Sequence, residues 1–397
     1  MKRMSIRTLA AGALAVLLIS GCSSKKERLV LPEVNNQFAP VLAWDHSAAD
    51  GVQHFDSSLR PLILGDKLYA ASRTGLINAY DLESGKRLWT YDVRRDEVLS
   101  TWRVLTHRGT NTARVSGGLS HGFGHLLFGT ENGEVIALDP ASGERRWTSK
   151  VPGEVLAAPA AGDGMIAVNT GSGFIVALNP ADGSHRWQFE QELPALTIRG
   201  VAEPSIVPGG VVFGSGSGKV GVLISDHGLP AWEEQIATPQ GATDLSRLVD
   251  VDARPLVVGN TIYAIAYNGE LVALELNSGR TLWKRDYASF RNMALADNVL
   301  YIVDSVGRVH AIDRRNGQEL WSQTALERHF LTAPAVFGDY LVFGDNKGNL
   351  HWLDRRSGDM LARHQFHRSG MYAAPVTNGE LLVLQSRNGD LVVLRQP

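Results

Sequence analysis

From about residue 60 to its end, the chain alternates short apolar runs with glycine-marked turns. Leu126-Leu127-Phe128 leads to Gly133, and Val135-Ile136-Ala137-Leu138 follows it. Asp139-Pro140-Ala141-Ser142-Gly143 then breaks the run ahead of Trp147. Runs this short, rich in β-branched residues and bounded by turn formers, predict strands. The first glycine supplies the positive φ of a tight hairpin, and the Asp-Pro-Gly segment builds the next turn. A glycine, a second glycine ten residues on and a tryptophan four further recur as Gly75/Gly85/Trp89, Gly133/Gly143/Trp147 and Gly173/Gly183/Trp187. The same spacing returns as Gly218/Gly228/Trp232, Gly269/Gly279/Trp283 and Gly307/Gly317/Trp321. Gly348 and Gly358 keep the step, with Ala362 in the tryptophan's place, and Gly389 opens an eighth copy that ends with the chain. One unit reads as four short antiparallel strands over about 40 residues. Such a sheet cannot cover both its faces alone and must stack on its own copies. The expected fold is all-β, an eight-bladed β-propeller. The tryptophans are expected to wedge between blades, each N–H seeking one acceptor.

Phe38 to Trp44 is a short apolar stretch ending in tryptophan with no glycine pair before it. The eighth copy, from Ala373 to Arg395, lacks an outer strand. The N-terminal segment is therefore expected to complete the last blade and clasp the ring, removing the edges an open ring would expose. Ahead of it, residues 23–37 are polar and read as a tether. Residues 1–21 have a basic start (Lys2, Arg3, Arg7) and an apolar stretch from Leu9 to Ile19, the pattern of a signal peptide and too short to span a bilayer comfortably. Leu18-Ile19-Ser20-Gly21-Cys22 resembles a bacterial lipobox. In that reading Cys22, the one cysteine of the chain, is the lipid-modified first residue of the mature protein. A lone thiol in an oxidising compartment otherwise has no use. Ser23 and Ser24 after it resemble the signal for release to the outer membrane. The expected organisation is a signal peptide (1–21), a lipid-anchored tether (22–37) and one propeller domain (38–397).

The repeat tryptophans from Trp44 to Trp321, leaving out Trp102, lie 45, 58, 40, 45, 51 and 38 residues apart. The surplus falls between a tryptophan and the next inner strand, on the rim that carries hairpins such as those of Gly75 and Gly133. The long connectors are 91–114, with five arginines, and 188–199 and 233–252, which belong to neighbouring junctions. Loops on a rigid scaffold are where binding residues collect. One offers Leu196, Ile198 and Arg199. The other offers Asp250 and Asp252, two apart and so on one side of an extended segment. Aligned on Pro204 and Pro255, Arg199 and Asp250 occupy equivalent positions. Apolar anchors beside unlike charges suit a partner patch. Equally, Arg199 and the aspartates pair with each other to order the loops. The bare residues do not choose between these two.

The lipobox, the eightfold repeat, Leu196-Thr197-Ile198-Arg199-Gly200 and Arg247-Leu248-Val249-Asp250-Val251-Asp252 together resemble the outer membrane assembly factor B family, the propeller lipoproteins of the β-barrel assembly machinery. The resemblance covers nearly the whole chain, and the two loop motifs are its discriminating part. It implies a non-enzymatic scaffold on the periplasmic face of the outer membrane that assists folding and insertion of unfolded outer membrane proteins. It also implies docking to the POTRA domains of the central subunit BamA through Leu196, Ile198, Arg199, Asp250 and Asp252, alongside other members of the complex. Quinone-dependent dehydrogenases share the tryptophan-bearing repeat. Those most similar use a vicinal cysteine pair, which a chain with one cysteine lacks. The other alternative is a propeller lipoprotein that scaffolds another envelope partner. Gly214 to Lys219 is glycine-rich, but Phe213 and Val220 stand where a phosphate loop needs glycine and Ser/Thr, so it reads as a hairpin turn. His121/His125 and His364/His367 have loose metal-like spacing with no third ligand nearby. No catalytic, cofactor or metal residue is expected. A net charge of −2 gives no sign of a nucleic-acid partner.

Overall fold

The computed structural model describes residues 30–397, apart from 48–49, 53–54, 56, 58, 96–113, 195, 198–199 and 244–246. Cys22, Ile198, Arg199 and most of the basic connector 91–114 thus lie outside the described residues. Among the described residues 32 strands form eight four-stranded antiparallel sheets. Blades 1 to 7 span 62–92, 115–150, 160–190, 205–235, 256–285, 294–323 and 335–365, each with its strands in chain order. Blade 8 is ordered Val41–Ser47, Asp390–Arg395, Leu381–Gln385, Val376–Thr377. The N-terminal strand therefore completes the last sheet, pairing from Val41 with Arg395 to Ser47 with Asp390. The innermost strand of blade 1 lies beside those of blades 2 and 8, which closes the eight-bladed β-propeller.

No single core fills the molecule. Apolar side chains lie in layers between successive blades, such as Val212, Val220, Ile262, Ala264 and Val272 between blades 4 and 5. Middle strands, covered on both faces, are buried throughout and apolar up to their last residue, as in Met165–Asn169 and Leu381–Gln385. Outer strands alternate, burying only the residues that face the ring.

The repeat residues lock neighbouring blades. Trp89 of blade 1 donates its indole N–H to Pro140 O of blade 2 at 3.2 Å. Trp147 donates to Pro180 O at 2.9 Å and Trp232 to Leu276 O at 2.8 Å, each in the next blade. The same ring lies on that turn's glycine: a Cβ on Gly143 would come within 2.6 Å of Trp89 and one on Gly279 within 2.6 Å of Trp232. The second glycine thus answers two needs, a positive φ and a flat seat for a ring from the preceding blade.

The first hairpin carries a device the glycine pattern did not reveal. Three residues before the first glycine stands Ser72, Thr130, Thr170, Ser215, Asp304, Asp345 or Ser386. Its side-chain oxygen accepts the backbone N–H four residues on. This is local capping of a turn by a short polar side chain. Blade 5 has Ala266 there, and its Gly269 is not among the glycines at positive φ. That hairpin departs from the expected geometry because its capping oxygen is missing.

The clasp runs further than expected. The strand begins at Val41, and Phe38 turns back onto blade 7. Gln37 N–H donates to Leu361 O (2.9 Å), and the Asn36 side chain bonds both the N–H and the C=O of Arg363. Trp44 then donates to Leu82 O of blade 1 (2.9 Å). Residues 36–47 thereby hold blades 7, 8 and 1 together.

Candidate partner-binding face

Each connector leaves an outer strand beside the first-glycine hairpin of its own blade: Gln191 N–H donates to Gly173 O, and Ile236 N–H to Gly218 O. The connectors therefore gather on one face and surround a funnel of about 610 Å³ at the ring axis. Leu196, Thr197 and Gly200 from the first long connector line it beside Leu248 and Asp252 from the second. The two loops share one lip of one cavity.

Buried polar contacts set each loop. Asn169 donates to Ala202 O (3.1 Å) and accepts from Gln191 Nε2 (3.0 Å), pinning the end of the first loop against blade 3. The second runs as a strap between two hairpins. Val251 N–H donates to Ser215 O, Asn268 Nδ2 to Leu248 O (2.9 Å), and Tyr267 N–H to Asp250 O. Val249 and Val251 face the layer between blades 4 and 5. Alternation then turns Asp250 and Asp252 towards the first loop. The Asp250 carboxylate lies by Gly216 near Thr197, and Asp252 lies directly over Gly200, where a Cβ would collide with its carboxylate.

The two aspartates differ. Asp250 is 1% exposed, so it sits beneath the lip and not on it. Asp252 is partly exposed, yet enclosed in the funnel. Desolvation, reinforced by the neighbouring Asp250 carboxylate, pushes its carboxyl up to about 8. At neutral pH Asp252 is mostly protonated and offers an O–H donor. Leu196, 48% exposed, and Leu193, 40% exposed, are the apolar members of the lip. Leu193 also sits over Gly173, where a Cβ would meet it at 2.8 Å. Of the five residues expected to touch a partner, Leu196, Asp250 and Asp252 are thus brought together; Ile198 and Arg199 are outside the described residues.

Sequence reasoning passed over the rest of the funnel. Phe290, Phe330 and Tyr372 occupy the connectors before blades 6, 7 and 8, four or five positions ahead of the inner strand. They stand one or two positions nearer their inner strands than Arg199 and Asp250, which lie six ahead of theirs, so the alignment on Pro204 and Pro255 does not reach them. Glu203 accepts from Arg60 (2.9 Å), of the connector before blade 1, and from Arg254 (3.0 Å), of the connector before blade 5. Glu131 takes both arms of Arg73 at 2.9 Å. The glycine-rich run Gly214 to Lys219 is a hairpin between two strands, as its sequence suggested. Among the described residues no three His, Cys, Asp or Glu side chains gather as metal ligands.

A family model described as outer membrane protein assembly factor BamB matches residues 73–323 and 305–396. The chain is 42% identical over 344 residues to outer membrane protein assembly factor BamB of Alteromonas naphthalenivorans, covering 84% of this chain and 82% of that one. It is similar to the crystal structure of BamB from Moraxella catarrhalis, with a TM-score of 0.75 and 25% identity over 89% of this chain and all of that one. A europium-containing methanol dehydrogenase shares the fold alone, at a TM-score of 0.70 and 14% identity over 91% of this chain and 95% of that one.

Proposed function

Because this chain belongs to the outer membrane protein assembly factor BamB family, we propose that it is a non-enzymatic scaffold of the outer membrane β-barrel assembly machinery. In this reading Cys22 carries the lipid that holds it at the periplasmic face, and residues 23–37 tether the propeller. The lip of the funnel docks the POTRA domains of a BamA-type subunit, and the bound scaffold assists folding and insertion of unfolded outer membrane proteins. Leu196 and Ile198 supply apolar contact, Arg199 and Asp252 supply polar contact, and buried Asp250 holds the strap from beneath.

The observation that carries this reading is the convergence of two separate loops on one lip. Both are long connectors at neighbouring junctions, and they meet there with Leu193 and Leu196 exposed beside Asp252. An apolar centre with a few polar groups on a rigid frame is the anatomy of a docking patch. Charged groups around the funnel are engaged with one another, Glu131 with Arg73 and Glu203 with Arg60 and Arg254, which suits support more than reaction chemistry.

Co-purification from detergent-solubilised outer membranes tests it. The wild-type chain should bring down the barrel subunit, and Leu196→Glu or Arg199→Glu should lower that recovery tenfold or more with an unchanged melting temperature. Undiminished recovery with both variants would remove the lip from the contact.

A further inference from the structure

The first hairpin of a blade grips the connector that enters that blade. The residue after the capping position donates its backbone N–H to the connector: Glu131 to Arg114 O, Gly171 to Glu154 O, Tyr267 to Asp250 O and Asn346 to Phe330 O. Around the ring this position holds Arg73, Glu131, Tyr267, Ser305, Asn346 and Arg387, and glycine at Gly171 and Gly216. Neither glycine is among those at positive φ. The backbone here therefore accepts a side chain, as six blades demonstrate, and what stands beside the hairpin decides whether one fits.

The two glycines differ in what surrounds them. A Cβ on Gly171 would have Leu156 Cδ1 as its nearest neighbour, at 3.6 Å, an ordinary contact. A Cβ on Gly216 would come within 2.8 Å of Thr197 Cγ2 and 3.3 Å of Asp250 Oδ1, with Leu193 Cδ2 at 3.7 Å. Leu193 and Thr197 belong to the first long connector and Asp250 to the second, so one missing side chain makes room for both loops. None of the three is a loose chain end. Thr197 branches at Cβ and is stiff at χ1. Asp250 is 1% exposed, and its backbone C=O is held by Tyr267. Leu193 rests on Gly173, where a Cβ would meet its Cγ at 2.8 Å. Close packing of this kind passes a displacement on to its neighbours. The neighbour of Thr197 in the chain is Leu196, the exposed apolar residue of the lip.

We propose that Gly216 is a positioning residue of the partner contact: its missing side chain lets the two long connectors meet over the blade 4 hairpin, and so fixes where Leu196 stands relative to Asp252. The inference rests on the docking reading of the lip and adds to it a residue that touches no partner. The glycine-rich run Gly214 to Lys219 then has a division of labour beyond its turn. Gly218 supplies the positive φ of the hairpin. Gly214 lies under the strap, where a Cβ would meet Val251 Cγ1 at 2.6 Å, and Gly216 seats the junction of the two loops. A contact surface assembled from two loops binds well only while their spacing is held before the partner arrives. Changing that spacing weakens the contact with every touching side chain still present.

Co-purification of the barrel subunit tests it with a matched pair of variants. Gly216→Ala should lower recovery about tenfold. Gly171→Ala, the same substitution at the same turn position one blade earlier, should leave recovery at the wild-type level. Both should melt at the wild-type temperature. Adding Thr197→Ser to Gly216→Ala removes the methyl that the new Cβ meets, and should restore most of the recovery. Wild-type recovery by Gly216→Ala, while Leu196→Glu and Arg199→Glu lose the subunit, would overturn the assignment and leave the docking reading standing. Failure of the Thr197→Ser rescue would also overturn it. So would a melting temperature of Gly216→Ala well below that of Gly171→Ala, which would assign the glycine to the fold and not to the lip. Undiminished recovery with Leu196→Glu and Arg199→Glu would remove the docking reading and this assignment with it.

Discussion

Seven junctions of the ring are made one way and the eighth another. At seven, a tryptophan of one blade lies on the turn of the next. Each pairs across its own sheet with a small residue: Ala79 with Trp89, Ala137 with Trp147, Ala177 with Trp187, Val222 with Trp232, Ala273 with Trp283, Ala311 with Trp321, and Val393 with Trp44. Between blades 7 and 8 the pair is inverted, Trp352 opposite Ala362. In blade 8 the strand Asp390–Arg395 pairs with the N-terminal strand Val41–Ser47 and not with a strand that follows it through a glycine turn, so among the described residues this blade offers no such turn to a tryptophan. The large ring moves to the neighbouring strand, where Phe38 meets it edge-on at 5.5 Å and Tyr340 does the same. The volume of the layer is kept while the lock changes hands, from a repeated ring on glycine to a segment arriving from the other end of the chain. Closure thus follows the rule of conserved packing volume more strictly than the rule of conserved position.

The comparison is sharpest when the clasp is removed. Deleting residues 38–44 takes away the outer strand of blade 8, the ring on blade 7 and the tryptophan on blade 1 together. Thermal unfolding should fall by well over 10 °C or lose its cooperative transition. Deleting residues 23–29, of equal length, should leave the midpoint unchanged. Matching midpoints would show that the ring closes without its clasp. Next in size are the individual locks. Trp187→Ala and Trp352→Ala should each cost about 3–5 kcal/mol in denaturant unfolding, as for large buried aromatics elsewhere. Trp352 should stand at the upper end: it is fully buried, whereas Trp187 is only partly so. Phe38→Ala removes a half-buried ring and should cost about 1–2 kcal/mol. A negligible effect would mean that Asn36 and Gln37 alone hold blade 7.

The fold was legible because glycine and tryptophan do their work at fixed offsets, and a ten-residue step leaves no other register. The exchange at blade 7 could be seen only as a gap at Ala362, since nothing local to Ala362 announces that Trp352 has taken the volume. The sequence runs Phe38 straight into the strand, because an apolar run carries no mark of where it changes partners. At the site, the alignment on Pro204 and Pro255 placed the two long connectors together. It passed over Phe290, Phe330 and Tyr372 because their connectors are short and drew no notice. By spacing alone Asp250 and Asp252 are a matched pair. Spacing gives the side of a strand but not its depth, and depth is what separates a carboxylate under the strap from one in the funnel.

That difference of depth predicts the smallest effect and an informative sign. The Asp252 carboxyl titrates near 8 in the folded chain against an ordinary value of 3.8. Between those values the folded state holds a proton that the unfolded state releases, so stability falls as pH rises and levels off above about 8. This is the reverse of the usual paired aspartate, whose depressed pKa makes stability fall towards acid. From pH 6.5 to 7.5 the loss from this one group should be about 1 kcal/mol, close to the limit of 1.4 kcal/mol per proton per unit. Asp252→Asn removes the titration while keeping the shape over Gly200. Its unfolding free energy should vary less with pH than that of the wild type, by about that amount, and it should be the more stable of the two at pH 8. Parallel pH profiles for the two proteins would mean that the loops open to let water reach the carboxylate. The lip would then be an adaptable surface, unlike the rigid locks between the blades.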